Sequence, residues 1–197
     1  MKHWTIGKRI TAATGLLCAL LTLVGAIAWY SLGGLGRQGV ALRDDVMPGL
    51  ISSSRFYSLL AKGFIRLQLY VATTDKEARV ELRNEMVALS KENDEAFAGY
   101  EGTISEPDDR ANFERARQAQ QSYREGKAQC LQLADGGKNA EAAEFLEHKL
   151  FPLYRTYAAA AETVLKYNSD NGAALGTGID ASARQARLVI VVITTVA

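Results

Sequence analysis

The sequence predicts an all-α protein, an antiparallel up-down-up-down four-helix bundle continuous with membrane-spanning helices. Apolar residues recur at alternating four- and three-residue steps through four stretches between Leu42 and Ala174, the spacing of a helix face turned to a core. Alanine, leucine, glutamate, arginine and glutamine abound while there are only three prolines, and such residues lose little on entering a helix. An uncharged, apolar run fills Gly15 to Tyr30, and a second runs from Leu188 to Ala197.

Residues 1–9 are read as a cytoplasmic N-terminus and 10–32 as a transmembrane helix, because about 20 residues rising 1.5 Å each cover a hydrocarbon layer about 30 Å thick. Lys2, Lys8 and Arg9 precede the run and Arg37 and Arg43 follow at a distance, which favours the cytoplasmic side for the N-terminus. A cleaved secretory signal is the competing reading, with Ala26-Ile27-Ala28 as its small-x-small site. Against it, the run exceeds the roughly 7–15 apolar residues of a signal core, and Trp29 and Tyr30 suit the interface after a full crossing. Residues 188–197 are too few to cross a bilayer, so they are expected to start a second transmembrane helix in a longer natural product.

Residues 33–187 are predicted to form the bundle. Gly33, Gly34 and Gly36 are expected to break or loosen the first helix, at about 1 kcal/mol each against alanine. The pattern resumes with Leu42, Val46, Gly49, Ser53, Phe56, Leu60, Gly63, Leu67 and Tyr70, where Pro48 should kink or divide the helix. Thr74 is the expected N-cap of the second helix, with Glu77 completing a capping box. Its seam is Leu82, Met86, Leu89, Asn93, Ala96 and Tyr100, in which Asn93 reads as a register-fixing residue.

Ser105 is the expected cap of the third helix, with Pro107 in its first turn and Asp108 and Asp109 at the positive end of its dipole. Ala116, Ala119, Tyr123, Gly126, Cys130 and Leu133 form its seam, small enough to bring it close to a neighbour. Asn139 should cap the fourth helix, which carries Leu146, Leu150, Leu153, Tyr157, Ala160, Val164, Tyr167, Asn171 and Ala174 and should bend at Pro152. The outer helices are expected to run about 40–48 residues and the inner pair about 27, so that the inner hairpin leans on the outer pair.

Composition narrows the function classes. Between Gly33 and Ala186 the chain holds 19 basic and 22 acidic residues, so no basic field invites nucleic acid. Cys18 and Cys130 cannot pair in one fold or build a four-cysteine metal site, and Glu144, Glu147 and His148 lack the di-iron spacing. No nucleophile stands beside an activating partner, so neither an enzyme nor a cofactor is expected.

Three stretches carry a likeness: Thr5-Ile-Gly-Lys-Arg-Ile10, Val46-Met-Pro-Gly-Leu50, and Asn168 within Leu165-Lys-Tyr-Asn168. With the length pattern they make the chain similar to the periplasmic sensor half of a bacterial methyl-accepting chemotaxis protein of the four-helix-bundle type. The same layout serves some sensor histidine kinases and membrane cyclases. The resemblance implies a transmembrane chemoreceptor in the bacterial inner membrane, its bundle in the periplasm. It further implies a homodimer with a small-molecule site high in the bundle at the subunit interface, and a fourth helix that moves piston-fashion on binding. A cytoplasmic signalling domain outside this sequence would then address a kinase array.

The residues must supply the site. Arg55, Leu59, Lys62, Arg66 and Leu69 form a stripe one position behind the first seam, and its three cations, paired across a two-fold axis, suit a carboxylate or amino acid. Arg66 lies 34 residues past Leu32 and Tyr154 lies 33 residues before Arg187, about 51 and 50 Å of helix. Arg66, Tyr70, Tyr154 and Tyr157 should therefore stand level, and together with Arg55 and Lys62 they are the predicted ligand-binding residues. A solvated stripe of long side chains, in a bundle that only holds dimers together or meets a protein partner, is the alternative.

Overall fold

The computed structural model describes residues 5–196, so Lys2 and Ala197, noted above, lie outside the described residues. All regular structure among them is helical: α1 Ile6–Ala41, α2 Met47–Ala72, α3 Lys76–Glu101, α4 Pro107–Asp135, α5 Asn139–Phe145 and α6 Phe151–Val196. Five-residue π turns, Leu42–Val46 and Leu146–Leu150, lead into α2 and α6. Arg43–Gly172 form one compact unit; the residues up to Leu42 and from Ala173 form another.

In the second unit α1 carries an 18-residue window of mean hydropathy 2.2, none of it buried against the rest of the chain. It is the one helix among the described residues long and apolar enough to cross a membrane. Trp29 and Tyr30 are 83% and 79% exposed on it, as lipid- or interface-facing aromatics would be. The glycines do not break α1, which continues through Gly33, Gly34, Gly36 and Gly39 to Ala41. Glycine lowers helix propensity but keeps its N–H donor, whereas proline removes one and presses its ring on the carbonyl four residues back. The irregularity accordingly falls just before Pro48, the second residue of α2, and again before Pro152, the second residue of α6.

The 43–172 unit is the four-helix bundle, α5 and its π turn leading into its last helix. Pairings of residues on successive helices fix its directions. Arg66 meets Glu85 and Arg55 meets Glu92, so α3 runs antiparallel to α2. Arg117 reaches Glu101, and Gln120 reaches Asn93, reversing α4 against α3. Tyr123 meets Tyr157 and Gly126 approaches Leu150, reversing α6 against α4; Phe64 stacks on Tyr154, closing the ring between α2 and α6.

The predicted seams supply the core. Ser53, Phe56, Leu60, Leu67 and Tyr70 of α2, Met86, Asn93, Ala96 and Tyr100 of α3, and Ala116, Tyr123 and Cys130 of α4 are buried. So are Leu150, Tyr157 and Val164 on the last helix. Each cap falls one residue from its expected place. Asp75, not Thr74, accepts from the backbone N–H groups of Glu77 and Ala78; Glu106, not Ser105, precedes α4. Lys138 rather than Asn139 precedes α5, because the Asn139 side chain is drawn away to accept from Arg79 at 2.7 Å.

Candidate functional site

The predicted binding residues do not converge on one spot. Arg55 and Lys62, two turns apart on α2, share an open groove with Ser54, Ser58 and Glu92. Arg55 Nη2 lies 3.5 Å from Glu92 Oε2, with both side chains about half exposed, and Lys62 makes no ion pair among the described residues. This is a weakly compensated cationic surface. Four residues of α2, Met47, Ile51, Ile65 and Leu69, stay 45–61% exposed along the same helix.

The other four are engaged within the bundle. Arg66 donates through Nε to Glu85 and bridges α2 to α3. Tyr70 is buried, donates to Asp135 and accepts from Arg83 at 3.0 Å, while the Arg79 and Arg83 guanidiniums sit 5.2 and 5.1 Å from its ring centroid. Tyr154 stacks on Phe64 with centroids 4.1 Å apart. Tyr157 is 2% exposed and donates to Asn93 Oδ1 at 3.2 Å, so its hydroxyl completes a core network instead of facing a groove. A helical stripe fixes which residues share a side of α2, but not which carboxylates of α3 and α4 neutralise them.

A second concentration of polar groups lies inside the bundle. Asn93 donates to the Phe56 carbonyl at 3.1 Å and accepts from Gln120 at 2.8 Å as well as from Tyr157. These groups border a cavity of about 40 Å³ between α2, α3, α4 and α6. Ser90, Tyr123, Arg124 and Lys127 also line it. Arg124 is paired with Asp94. Lys127 donates to Ser90 Oγ at 3.3 Å, and the hydroxyl of buried Tyr123 has no hydrogen-bond partner among the described residues. Burial, reinforced by Arg124 and Arg83, holds the Lys127 ammonium below the usual lysine range, and burial pushes the Tyr123 hydroxyl up.

The sequence does contain a signal for this cavity. Gln120, Arg124 and Lys127, which all line it, form a four-three stripe one position after the α4 seam. Among the described residues no group of three metal-ligating side chains occurs, and His148 is exposed on the π turn before α6.

A family model described as a four helix bundle sensory module for signal transduction matches residues 3–183. No curated protein matches the chain.

Proposed function

Because the chain belongs to the four-helix-bundle sensory modules for signal transduction, we propose that it is the input half of a transmembrane chemoreceptor that senses a small anion, a carboxylate or amino acid, in the periplasm. Arg55 and Lys62 of α2 bind the ligand in this reading. The observation that carries it is their shared groove, where one partly exposed carboxylate, Glu92, stands beside two cations. A bidentate guanidinium and a flexible ammonium two turns apart match an anion with more than one acceptor oxygen.

A second copy completes the site. Met47, Ile51, Ile65 and Leu69 leave an apolar stripe on α2 that a homodimer would cover, bringing two sets of Arg55 and Lys62 together across the two-fold axis. Arg66, Tyr70 and Tyr157 hold α2, α3 and α6 in register, and Tyr154 anchors α6 on Phe64. Binding on α2 is then felt by α6, whose helix continues to Val196, in the direction of a signalling domain that relays to a kinase.

Titration calorimetry of the whole chain in detergent micelles, against a panel of carboxylates and amino acids, tests the reading. Saturable binding is expected for at least one member, weakened at least tenfold in Arg55→Ala and Lys62→Ala. Absence of binding across the panel, or unchanged affinity in the double variant, would overturn it.

A further inference from the structure

We infer that the cavity inside the bundle, between Ser90 and Asn93 of α3 and Gln120, Tyr123 and Lys127 of α4, is a second binding site, for a small monovalent anion. It is separate from the α2 groove and lies within a single copy of the chain.

Two unmet demands occur among the residues that line this cavity. The first is charge. Lys127 lies between α3 and α4 with Ser90 Oγ as its neighbour at 3.3 Å, and Ser90 spends its own proton on the Met86 carbonyl at 2.7 Å. The ammonium thus keeps protons to donate and makes no ion pair among the described residues, while the other cation on the wall, Arg124, has Asp94. A partly buried ammonium without a counter-ion is less well stabilised than one with an anion beside it. The second is hydrogen bonding. Tyr123 is 6% exposed, and its hydroxyl is one of few buried polar atoms without a partner among the described residues. Nearly all buried polar groups in folded proteins are satisfied, so an unpaired hydroxyl beside a cavity marks a place for a guest. One negatively charged acceptor in this space answers both demands.

Volume sets the size of that guest. A water needs about 10–15 Å³ of such space, so a cavity of about 40 Å³ holds about three water-sized occupants. Chloride, nitrate, formate and acetate are of this size. The anion would tie α3 to α4 beside the Asn93, Gln120 and Tyr157 network.

Thermal unfolding of the whole chain in detergent micelles tests the inference, with sodium formate, acetate, nitrate or chloride replacing sodium gluconate at constant ionic strength. A saturable rise in Tm is expected with at least one small anion and not with gluconate. The rise should survive in Arg55→Ala/Lys62→Ala, and its half-saturation should move at least tenfold in Lys127→Met. Tyr123→Phe removes one hydroxyl at nearly constant volume and should shift half-saturation several-fold on a folded background, which keeps the test decisive if Lys127→Met folds poorly. No saturable rise, which would mean a cavity filled by water alone, overturns the inference. So does a rise that persists in both cavity variants, or one that vanishes with Arg55 and Lys62, which would place the anion in the α2 groove.

Discussion

Gly49 on α2 faces Asn168 on α6 so closely that a Cβ on the glycine would come within 2.5 Å of Asn168 Oδ1 and 3.3 Å of Thr103 Oγ1. Asn168 is not free to retreat. Its Nδ2 donates to the Tyr100 hydroxyl at 2.5 Å and to the Val164 carbonyl at 2.9 Å, and Tyr100 in turn donates to Asp109. Two of the stretches on which the family resemblance rests therefore form one contact, joining the start of α2, the α3–α4 turn and α6.

Gly49→Ala should lower stability by about 1–3 kcal/mol, the usual range for overpacking a fixed site. Asn168→Ala removes the obstructing oxygen along with its hydrogen bonds, so the double variant should lose less than the sum of the single losses. Denaturation of the four proteins in detergent, followed by helical circular dichroism, measures the coupling. Strictly additive losses would show that the two side chains do not compete for the same space.

Asn93 holds three elements at once, through the Phe56 carbonyl on α2, Gln120 on α4 and Tyr157 on α6. Asn93→Ala leaves the Gln120 amide and the Tyr157 hydroxyl without this partner, while the Phe56 carbonyl keeps its intrahelical bond, so at about 1–3 kcal/mol for an unsatisfied group a loss of at least about 2 kcal/mol is expected. Tyr157→Phe removes a single bond and should lose about 1 kcal/mol. If Asn93→Ala proved as mild as Tyr157→Phe in urea midpoint, the network would not be what fixes the helix register.

Much of this was legible in the sequence, for identifiable reasons. The four-three spacing through Phe56, Leu60, Leu67 and Tyr70 marked the buried side of α2, since periodicity reports directly on burial. Asn93 stood out because it is polar in an apolar seam, and it bonds to groups on α2, α4 and α6. The α3 cap slipped by one residue because Thr74 and Asp75 offer similar acceptor oxygens side by side, whereas Glu106 precedes α4 without a side-chain cap bond. The α2 cations were legible as a stripe, but Arg66 meeting Glu85 and Tyr70 meeting Asp135 depend on neighbours 19 and 65 residues away, which periodicity on one helix does not reveal. Lys127 escaped notice because it lies one position off the α4 seam and its neighbour Ser90 on α3 is 37 residues away in the chain.

Acid should weaken the bundle through Asp135. Partial burial pushes its carboxyl upward, but hydrogen bonds from Tyr70 and Arg83 outweigh this and hold it below the usual carboxylate range. With the folded value depressed, the stabilisation is present above the ordinary aspartate value and is lost as pH falls through the folded one. Asp135 is about half exposed, so solvent screening keeps the effect modest. Asp135→Asn should flatten the acid side of a Tm profile between about pH 7 and pH 3 relative to the parent. An unchanged profile would remove Asp135 from the acid response.

The Lys127 ammonium makes the opposite contribution, and its sign separates two roles for the cavity. Burial, with Arg124 and Arg83 adding to it, lowers the folded pKa below the ordinary lysine value. The unfolded chain therefore binds this proton more readily, and in gluconate the charge opposes folding at neutral pH. Lys127→Met keeps an unbranched stem without the charge, so it should raise Tm at neutral pH. That advantage should shrink as pH climbs through the interval between the folded and unfolded values, where the parent sheds the proton it holds at a disadvantage. Saturating small anion should shrink the same gap at neutral pH by stabilising only the parent. A Tm gap indifferent to both pH and anion would make Lys127 a packing residue, with the cavity serving only as a void between α3 and α4.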